Sequence, residues 1–336
     1  MNITSILLFS LLFYPNEIFS LLEWRNVYIG KGRMPCCVIE TKTKQSILVG
    51  TSSGDIIQVE DDLVKPLVST RSAPIWSLQH LQNDDGFVFG DASGKLYVYR
   101  EQRLISSSER LSGWVRAIAV DMNDNIYAVG CNIVTKFDRN LNALKEFDAG
   151  PSTAKEESWR RHDVTAISLC RNRLFCGLVD GSLREFDLDT GFMSYRMAKK
   201  KGSRIIAILR ISNHRFLSVA RDGGLMSFST SSLQQHQFHS SVSDNTPLTA
   251  VTSVRNLCAF GTARGSLFFI EQDTLTSSFD DQEHDPFLSN TQKTAAISSL
   301  TAAQLDDGNL VFAATKSDGY LSVAIKQQEK EYSVIK

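Results

Sequence analysis

The chain has 336 residues, 42% hydrophobic and 22% charged, with a formal net charge of −1. This balance is ordinary for a globular protein, and it excludes any argument from overall charge for nucleic-acid or membrane binding; only local patches can carry one. Division by a usual domain size gives two or three domains, but one closed β-structure can hold a chain of this length.

Residues 1–23 read as a hydrophobic leader. The run Ile6 to Phe13 is closed by Pro15 and is too short to cross a bilayer as a helix. It fits the apolar region of a secretory signal cleaved after Ser20, although the basic segment that normally precedes it is missing. The other readings are an amphipathic or disordered leader and a misassigned start. The expected location is cytoplasmic, or secretory or organellar if residues 1–20 are a cleaved signal. The one glycosylation sequon, Asn2-Ile3-Thr4, would leave with that signal.

Trp24 to Gly30 reads as a lone strand, and a repeat begins at about residue 33. Its mark is a small residue followed by an aliphatic one: Cys37-Val38, Ser77-Leu78, Ala117-Ile118, Ala166-Ile167, Ala207-Ile208, Ala250-Val251 and Ser299-Leu300. The steps are 40, 40, 49, 41, 43 and 49 residues. About ten residues after each pair comes a second apolar run, such as Ile47 to Gly50 or Phe87 to Gly90. A Gly-x-(Leu/Ile) turn follows in six units, as at Gly54-Asp55-Ile56 and Gly94-Lys95-Leu96. The third unit has Asn132-Ile133-Val134, where Asn132 is expected to supply the positive φ. Hairpin signals recur at Asn83–Gly86, Asn123–Asn125 and Asp306–Gly308.

Each unit reads as four strands; in unit two they are Ile75 to Leu81, Gly86 to Gly90, Leu96 to Arg100 and about Leu104 to Ser107. The period is that of a four-stranded propeller blade. The expected fold is all-β: a seven-bladed β-propeller of four-stranded antiparallel blades, with residues 24–336 as one domain. A sandwich or barrel also contains many hairpins, but it does not require seven in-phase units. The small residue should sit in the tight layer at the axis, and the aliphatic residue should pack between blades. The ring must close through Trp24 to Ile29 or through Glu331 to Ile335; the N-terminal strand is expected, because it ties both chain ends and covers a raw edge.

On period, strand pattern and Gly-x-Leu turns, residues 33 to about 326 resemble the WD-repeat family, without pointing to a subfamily. The family's dipeptides are eroded: Phe137-Asp138 and Phe186-Asp187 stand where Trp-Asp is usual, and His162 before Asp163 is the nearest thing to Gly-His. Lacking the family's buried His–Asp network, the blade cores are expected to rely on apolar packing. The resemblance implies a scaffold that binds proteins on its rims, usually without catalysis and as a subunit of a larger complex. The aromatic-Asp-x-Arg ending of ubiquitin-ligase subunits is not matched, since Arg139 follows Asp138 directly. Lys200-Lys201-Gly202 is similar to the basic element of phosphoinositide-binding propellers, with His214-Arg215 a poor second site.

Chemistry-bearing motifs are scarce. Cys37, Cys176 and Cys258 fall on inner strands and should pack as small apolar residues. With no C-x-x-C pair and no disulfide framework, neither zinc nor stapling is expected. His236 and His239 read as exposed polar residues, and no nucleophile elbow or phosphate loop is present. No catalytic residue, metal or cofactor is expected, and the chain reads as a non-enzyme. The residues just before the small positions are Cys36, Trp76, Arg116, Thr165, Ile206, Thr249 and Ser298. They offer no carboxylate or imidazole for a propeller enzyme.

One constellation stands out. The connections into the first strands of units two to five carry Arg71 and Trp76; Arg110, Trp114 and Arg116; Trp159, Arg160 and Arg161; and Lys199, Lys200, Lys201 and Arg204. All should emerge on one rim, with Trp76 and Arg116 facing the central opening. The next two connections are polar (Ser240 to Asn245) and acidic (Phe279 to His284). Arg and Trp are frequent binding hot spots. The expected partner is a protein with acidic or phosphorylated segments; RNA or an anionic membrane is the alternative. The plain competing reading is that surface loops carry Lys and Arg anyway and that Trp114 packs a strand start.

Overall fold

The structure is a computed structural model; it describes residues 23–326 apart from 31–34, 41–45, 61–62, 72, 84, 108, 151–162, 198–202, 213, 230–234, 239–245, 255–256, 272–287, 291–294 and 305–309. The leader, the alternative closing segment Glu331 to Ile335, the hairpin signal at Asp306–Gly308 and the polar and acidic connections therefore lie outside the described residues.

Among the described residues, twenty-eight strands form seven four-stranded antiparallel sheets. After β1 (Glu23–Tyr28), blade one is β2 (Pro35–Glu40), β3 (Ile47–Thr51), β4 (Asp55–Glu60) and β5 (Leu63–Ser69). Blade two is β6 (Ile75–His80), β7 (Phe87–Asp91), β8 (Leu96–Arg100) and β9 (Arg103–Ser106). Blade three is β10 (Val115–Val120), β11 (Ile126–Gly130), β12 (Ile133–Phe137) and β13 (Ala143–Asp148). Blade four is β14 (Val164–Cys170), β15 (Arg173–Leu178), β16 (Leu183–Asp187) and β17 (Met193–Met197). Blade five is β18 (Ile205–Arg210), β19 (Arg215–Ala220), β20 (Leu225–Ser229) and β21 (Gln235–Phe238). Blade six is β22 (Leu248–Val254), β23 (Leu257–Thr262), β24 (Leu267–Glu271) and β25 (Leu288–Asn290). Blade seven is β26 (Ile297–Gln304), β27 (Leu310–Lys316) and β28 (Tyr320–Lys326), completed by β1 in the order β1-β28-β27-β26. This is the expected seven-bladed propeller, closed by the N-terminal strand. The closing register runs from Glu23 opposite Ile325 to Tyr28 opposite Tyr320. Val27 and Ile29 then seal the layer between blades seven and one, with Val38, Val49 and Leu321.

The core consists of layers between blades. One holds Leu48, Ile56 and Val68 of blade one against Ile75, Leu78, Phe87 and Phe89 of blade two. Another holds Phe175 and Leu183 of blade four against Ile205, Ile208, Phe216 and Phe228 of blade five. The aliphatic partners of the repeat pairs join these layers, as their alternation against neighbouring blades requires. Six of the seven small residues, all but Ala250, border a central channel.

The reason for the small residue is sharper than an axis too narrow for bulk. Every innermost strand is bulged there, just ahead of the small residue in six blades and around Ala117 in blade three: the register shifts at Pro35/Cys37, Ile75/Ser77, Val115/Ile118, Val164/Ala166, Ile205/Ala207, Leu248/Ala250 and Ile297/Ser299. A bulge adds twist and turns the residue ahead of it into the neighbouring blade. Ile75, Val115, Ile205 and Ile297 then press on the penultimate residue, a glycine, of the second strand of the preceding blade. A Cβ on Gly50, Gly90, Gly177 or Gly261 would lie 2.8, 2.2, 2.4 or 2.7 Å from a γ-methyl carbon of that partner. Small hydroxyl and thiol groups knit the strands further. Ser77 Oγ donates to Val115 O at 2.9 Å, and Ser298 Oγ donates to Pro35 O at 2.9 Å across the closure.

Two expectations need correction. In unit three the positive φ falls on Cys131 (55°), not Asn132, because Gly130 pairs directly with Ile133 and leaves a two-residue turn. The cores are also not purely apolar. The fully buried Asp91 caps the β7–β8 turn, accepting from the backbone N–H groups of Ser93 and Lys95, the Ser93 hydroxyl and the Tyr97 hydroxyl. Blade four buries Glu185 with Arg173 bound to it. Buried polar groups persist where partners satisfy them, and Asp91 and Glu185 have such partners. Asp138 and Asp187, the surviving halves of the eroded dipeptides, cap the turns after β12 and β16.

Candidate interaction rim

In an antiparallel four-stranded blade the segments entering the first strands and the turns between second and third strands share one rim. On this rim Leu111 to Trp114 lead into β10. The Leu111 N–H donates to Gly94 O at 2.9 Å, the Ser112 hydroxyl to Gly130 O at 3.1 Å, and the Cys131 thiol to Ser112 O at 2.6 Å. Gly94 can accept this approach only as glycine: its φ is 85°, and a Cβ would stand 2.6 Å from Leu111 O. The segment is thus fixed against two neighbouring turns, and it presents Trp114 at 50% exposure.

Trp76 stacks on Trp114 with ring centroids 5.8 Å apart and planes 10° from parallel. The Arg116 guanidinium carbon lies 5.5 Å from the centroid of the same Trp114 ring. Offset aromatic stacking and a cation over an indole are both attractive arrangements. Trp76 and Arg116 occupy the same bulge position, yet they part: Arg116 borders the channel as expected, and the Trp76 ring is turned onto the next blade's tryptophan. Trp76 Nε1 is buried with no acceptor among the described residues.

Arg204 sits just before β18, and its carbonyl accepts from the Arg221 N–H at 2.8 Å. Arg204 Nε is buried and has no acceptor among the described residues. Burial, then the nearby guanidiniums of Arg116 and Arg221, lower the proton affinity of Arg204, with Asp163 opposing. Of these charged residues, Arg116 is the one that borders the channel among the described residues. Burial, then Asp163, raises the pKa of the Cys131 thiol, while Arg116 lowers it. Sequence reasoning missed Arg221, Asp163 and Cys131. It considered only the connections between blades, and Arg221 belongs to a second-to-third-strand turn that reaches the same rim.

Of the other expected rim residues, Arg71 and Arg110 are exposed, and Trp159, Arg160, Arg161, Lys199, Lys200 and Lys201 lie outside the described residues. The channel itself is about 400 Å³. Its polar lining is Gln79 with hydroxyls such as Ser77, Thr165, Thr252 and Ser299, and Arg116 is its one charged lining residue among those described. None of the six cysteines forms a disulfide, and five are buried, including the three expected on inner strands. No group of three or more potential metal ligands occurs among the described residues.

No protein-family model matches the sequence, and no curated protein matches it by sequence. Solved structures do match in shape. The β-propeller domain of Cps50 (Swd1) from Myceliophteria thermophila aligns with a TM-score of 0.69 at 13% identity, over 91% of this chain and 100% of that one. Raptor from Chaetomium thermophilum aligns with a TM-score of 0.66 at 14% identity, over 94% of this chain and 30% of that one. At such identity the likeness speaks for the fold alone, and the fold is that of a seven-bladed β-propeller.

Proposed function

We propose that the protein is a non-catalytic docking platform and a subunit of a larger complex, whose partner lays an acidic or phosphorylated segment across the rim of blades two to five. The observation that carries this reading is the Trp76–Trp114–Arg116 stack, which holds a large aromatic half exposed and pairs it with a guanidinium on the rim. Exposed aromatic and Arg anchors on a rigid frame lose little entropy on binding, and such residues dominate binding energies. Trp159 to Arg161 and Lys199 to Lys201 extend the same arc in the proposal. The channel lining argues for binding over catalysis, since hydroxyls, an amide and one guanidinium supply no acid–base pair. The cytoplasm is the proposed compartment.

The test is affinity purification with mass spectrometry on the unsubstituted protein and on a variant carrying Arg116→Glu, Arg204→Glu and Lys199→Glu/Lys200→Glu/Lys201→Glu. The proposal expects a reproducible partner set that disappears in the variant while its melting temperature is kept. An unchanged set overturns it. A steep fall in binding between low and physiological salt would instead favour RNA or an anionic membrane, because counterion release drives those contacts.

A further inference from the structure

Two exposed leucines stand on facing walls of the cleft between blades one and two, at its outer edge. In β5, Val64 packs into the layer between blades seven and one, so Leu63 and Lys65 on the other face of the strand turn toward blade two. In β9, Ile105 packs into the layer between blades two and three, so Leu104 turns toward blade one. Tyr99, its register partner, agrees: it packs partly buried in the layer between blades one and two and stacks on Phe87 at 5.1 Å. Leu63 is 60% exposed and Leu104 42%. Both lie at the start of the fourth strand of their blade, on the rim opposite the tryptophan stack. The next two clefts are made differently on that rim. Arg100 donates to Asn140 Oδ1 at 2.6 Å between blades two and three, and Lys145 Nζ donates to Leu188 O at 3.0 Å between blades three and four. Single apolar residues scattered over a surface need no explanation, but a leucine on each wall of one cleft makes a seat for an apolar chain.

We propose that this seat is filled by the chain's own leader, the run Ile6 to Phe13, laid back across blade one. Seven of the eight side chains in that run are apolar. Where the leader joins the ring selects it as the occupant. Tyr28 pairs with Tyr320 beside the β27–β28 turn on the docking rim, which puts Glu23 on the opposite rim at the outer edge of blade seven. Leu63 and Leu104 lie on that same rim, with blade one between Glu23 and the cleft. The nine residues 14–22 that join Phe13 to Glu23 reach about 30 Å when extended. So short a tether keeps the run at high effective concentration beside the cleft, and a modest contact area then suffices. The contact is made by side chains. Pro66 gives β5 no N–H at its middle, and the register shift at Ile56/Ile57 interrupts the ladder, so this edge is a poor template for an added strand. Held in this way, the leader braces the ring beside its closure and stays on the mature protein. The proposal does not depend on the rim-docking reading.

The experiment puts photo-reactive benzoylphenylalanine in place of Phe9 in the full chain and maps its crosslink by mass spectrometry. The crosslink should fall within the chain, on residues 63–67 or 99–104. Leu63→Asp and Leu104→Asp together should weaken it about tenfold or more while the melting temperature is kept, since each removes an apolar contact. Leu144→Asp, at an exposed leucine of blade three, should leave it unchanged. Hydroxyl-radical footprinting then compares the unsubstituted chain with a Leu8→Asp/Leu11→Asp variant. Labelling of Leu63 and Leu104 should rise several-fold in the variant, while that of Met122 should not change.

A crosslink elsewhere in the chain, to another protein, or none at all overturns the proposal. So does a crosslink between copies in a mixture of isotope-labelled and unlabelled protein. Equal labelling of Leu63 and Leu104 in the two footprinted chains overturns it as well, as does an intact mass showing that protein purified from its own cells lacks residues 1–20. If the cleft variant fails to fold, the position of the crosslink in the chain that keeps Leu63 and Leu104 still decides.

Discussion

The innermost strands and the segments that lead into them follow different rules. All seven innermost strands share one device: an opening residue packed toward the neighbouring blade, a bulge, a small residue and an aliphatic one. The segments entering them share none. Blade three enters through Leu111 to Trp114, pinned to two turns, and blade five enters through Arg204, with a buried Nε and no acceptor among the described residues. Packing around a closed ring imposes the first pattern on every blade equally. Nothing in the ring demands a tryptophan stack on one arc, and it is on that stack that the docking proposal rests.

Substitutions can separate the two regions. The largest loss of stability should follow Phe216→Ala, because its fully buried ring lies 4.8 Å from that of Phe175 and 5.5 Å from that of Phe228. Truncation there should cost about 3–5 kcal/mol in chemical denaturation. Gly90→Ala should cost about 1–3 kcal/mol by overpacking, since the new Cβ would fall 2.2 Å from Val115 Cγ1. Val115→Ala in the same chain should recover part of that loss, and a double-mutant cycle would show it. Were the two effects simply additive, the bulge-and-glycine account of blade contact would fail.

Asp124→Ala should also cost about 1–3 kcal/mol, because its buried carboxylate accepts the Gln82 and Asn83 N–H groups of the neighbouring blade. Asn at the same site keeps an acceptor and tolerates the φ of 60°, so it should cost less. Asp187 gives a smaller, pH-dependent effect. Hydrogen bonds from the Thr190 backbone, the Thr190 hydroxyl and the Asp189 N–H hold its carboxyl below the usual carboxylate range. A lowered folded-state pKa contributes stability above the unfolded value that is lost as pH falls through the folded one. Asp187→Asn should therefore lower stability slightly at neutral pH and flatten the acid limb, the two proteins converging below the folded-state pKa. Trp114→Ala should alter stability least, within about 0.5 kcal/mol, while abolishing partner recovery. A large loss of stability there would return Trp114 to the role of a packing residue.

Much of the fold was legible in the sequence because each blade repeats one packing problem. Seven small–aliphatic pairs sufficed to count blades, and Trp24 to Ile29 sufficed to close the ring. The purpose of Gly50, Gly90, Gly177 and Gly261 was not legible, since each glycine answers to a residue about 25 to 36 positions away, in the next blade. Cys131 took the strained turn position because hairpin length, not residue preference, set the geometry. Of the rim, Trp76, Trp114, Arg116 and Arg204 were read from their connections. Arg221 and Asp163 became visible only when turns from different blades met on one face.

The most direct test of rim docking is a covalent footprint of the protein alone and bound to its recovered partner, read by mass spectrometry. The account predicts protection of Trp114, Arg116 and Arg204, with Met122 and Phe192, both exposed in turns of the opposite rim, labelled equally in both states. Protection centred on Met122 or Phe192, with Trp114 still labelled, would contradict it.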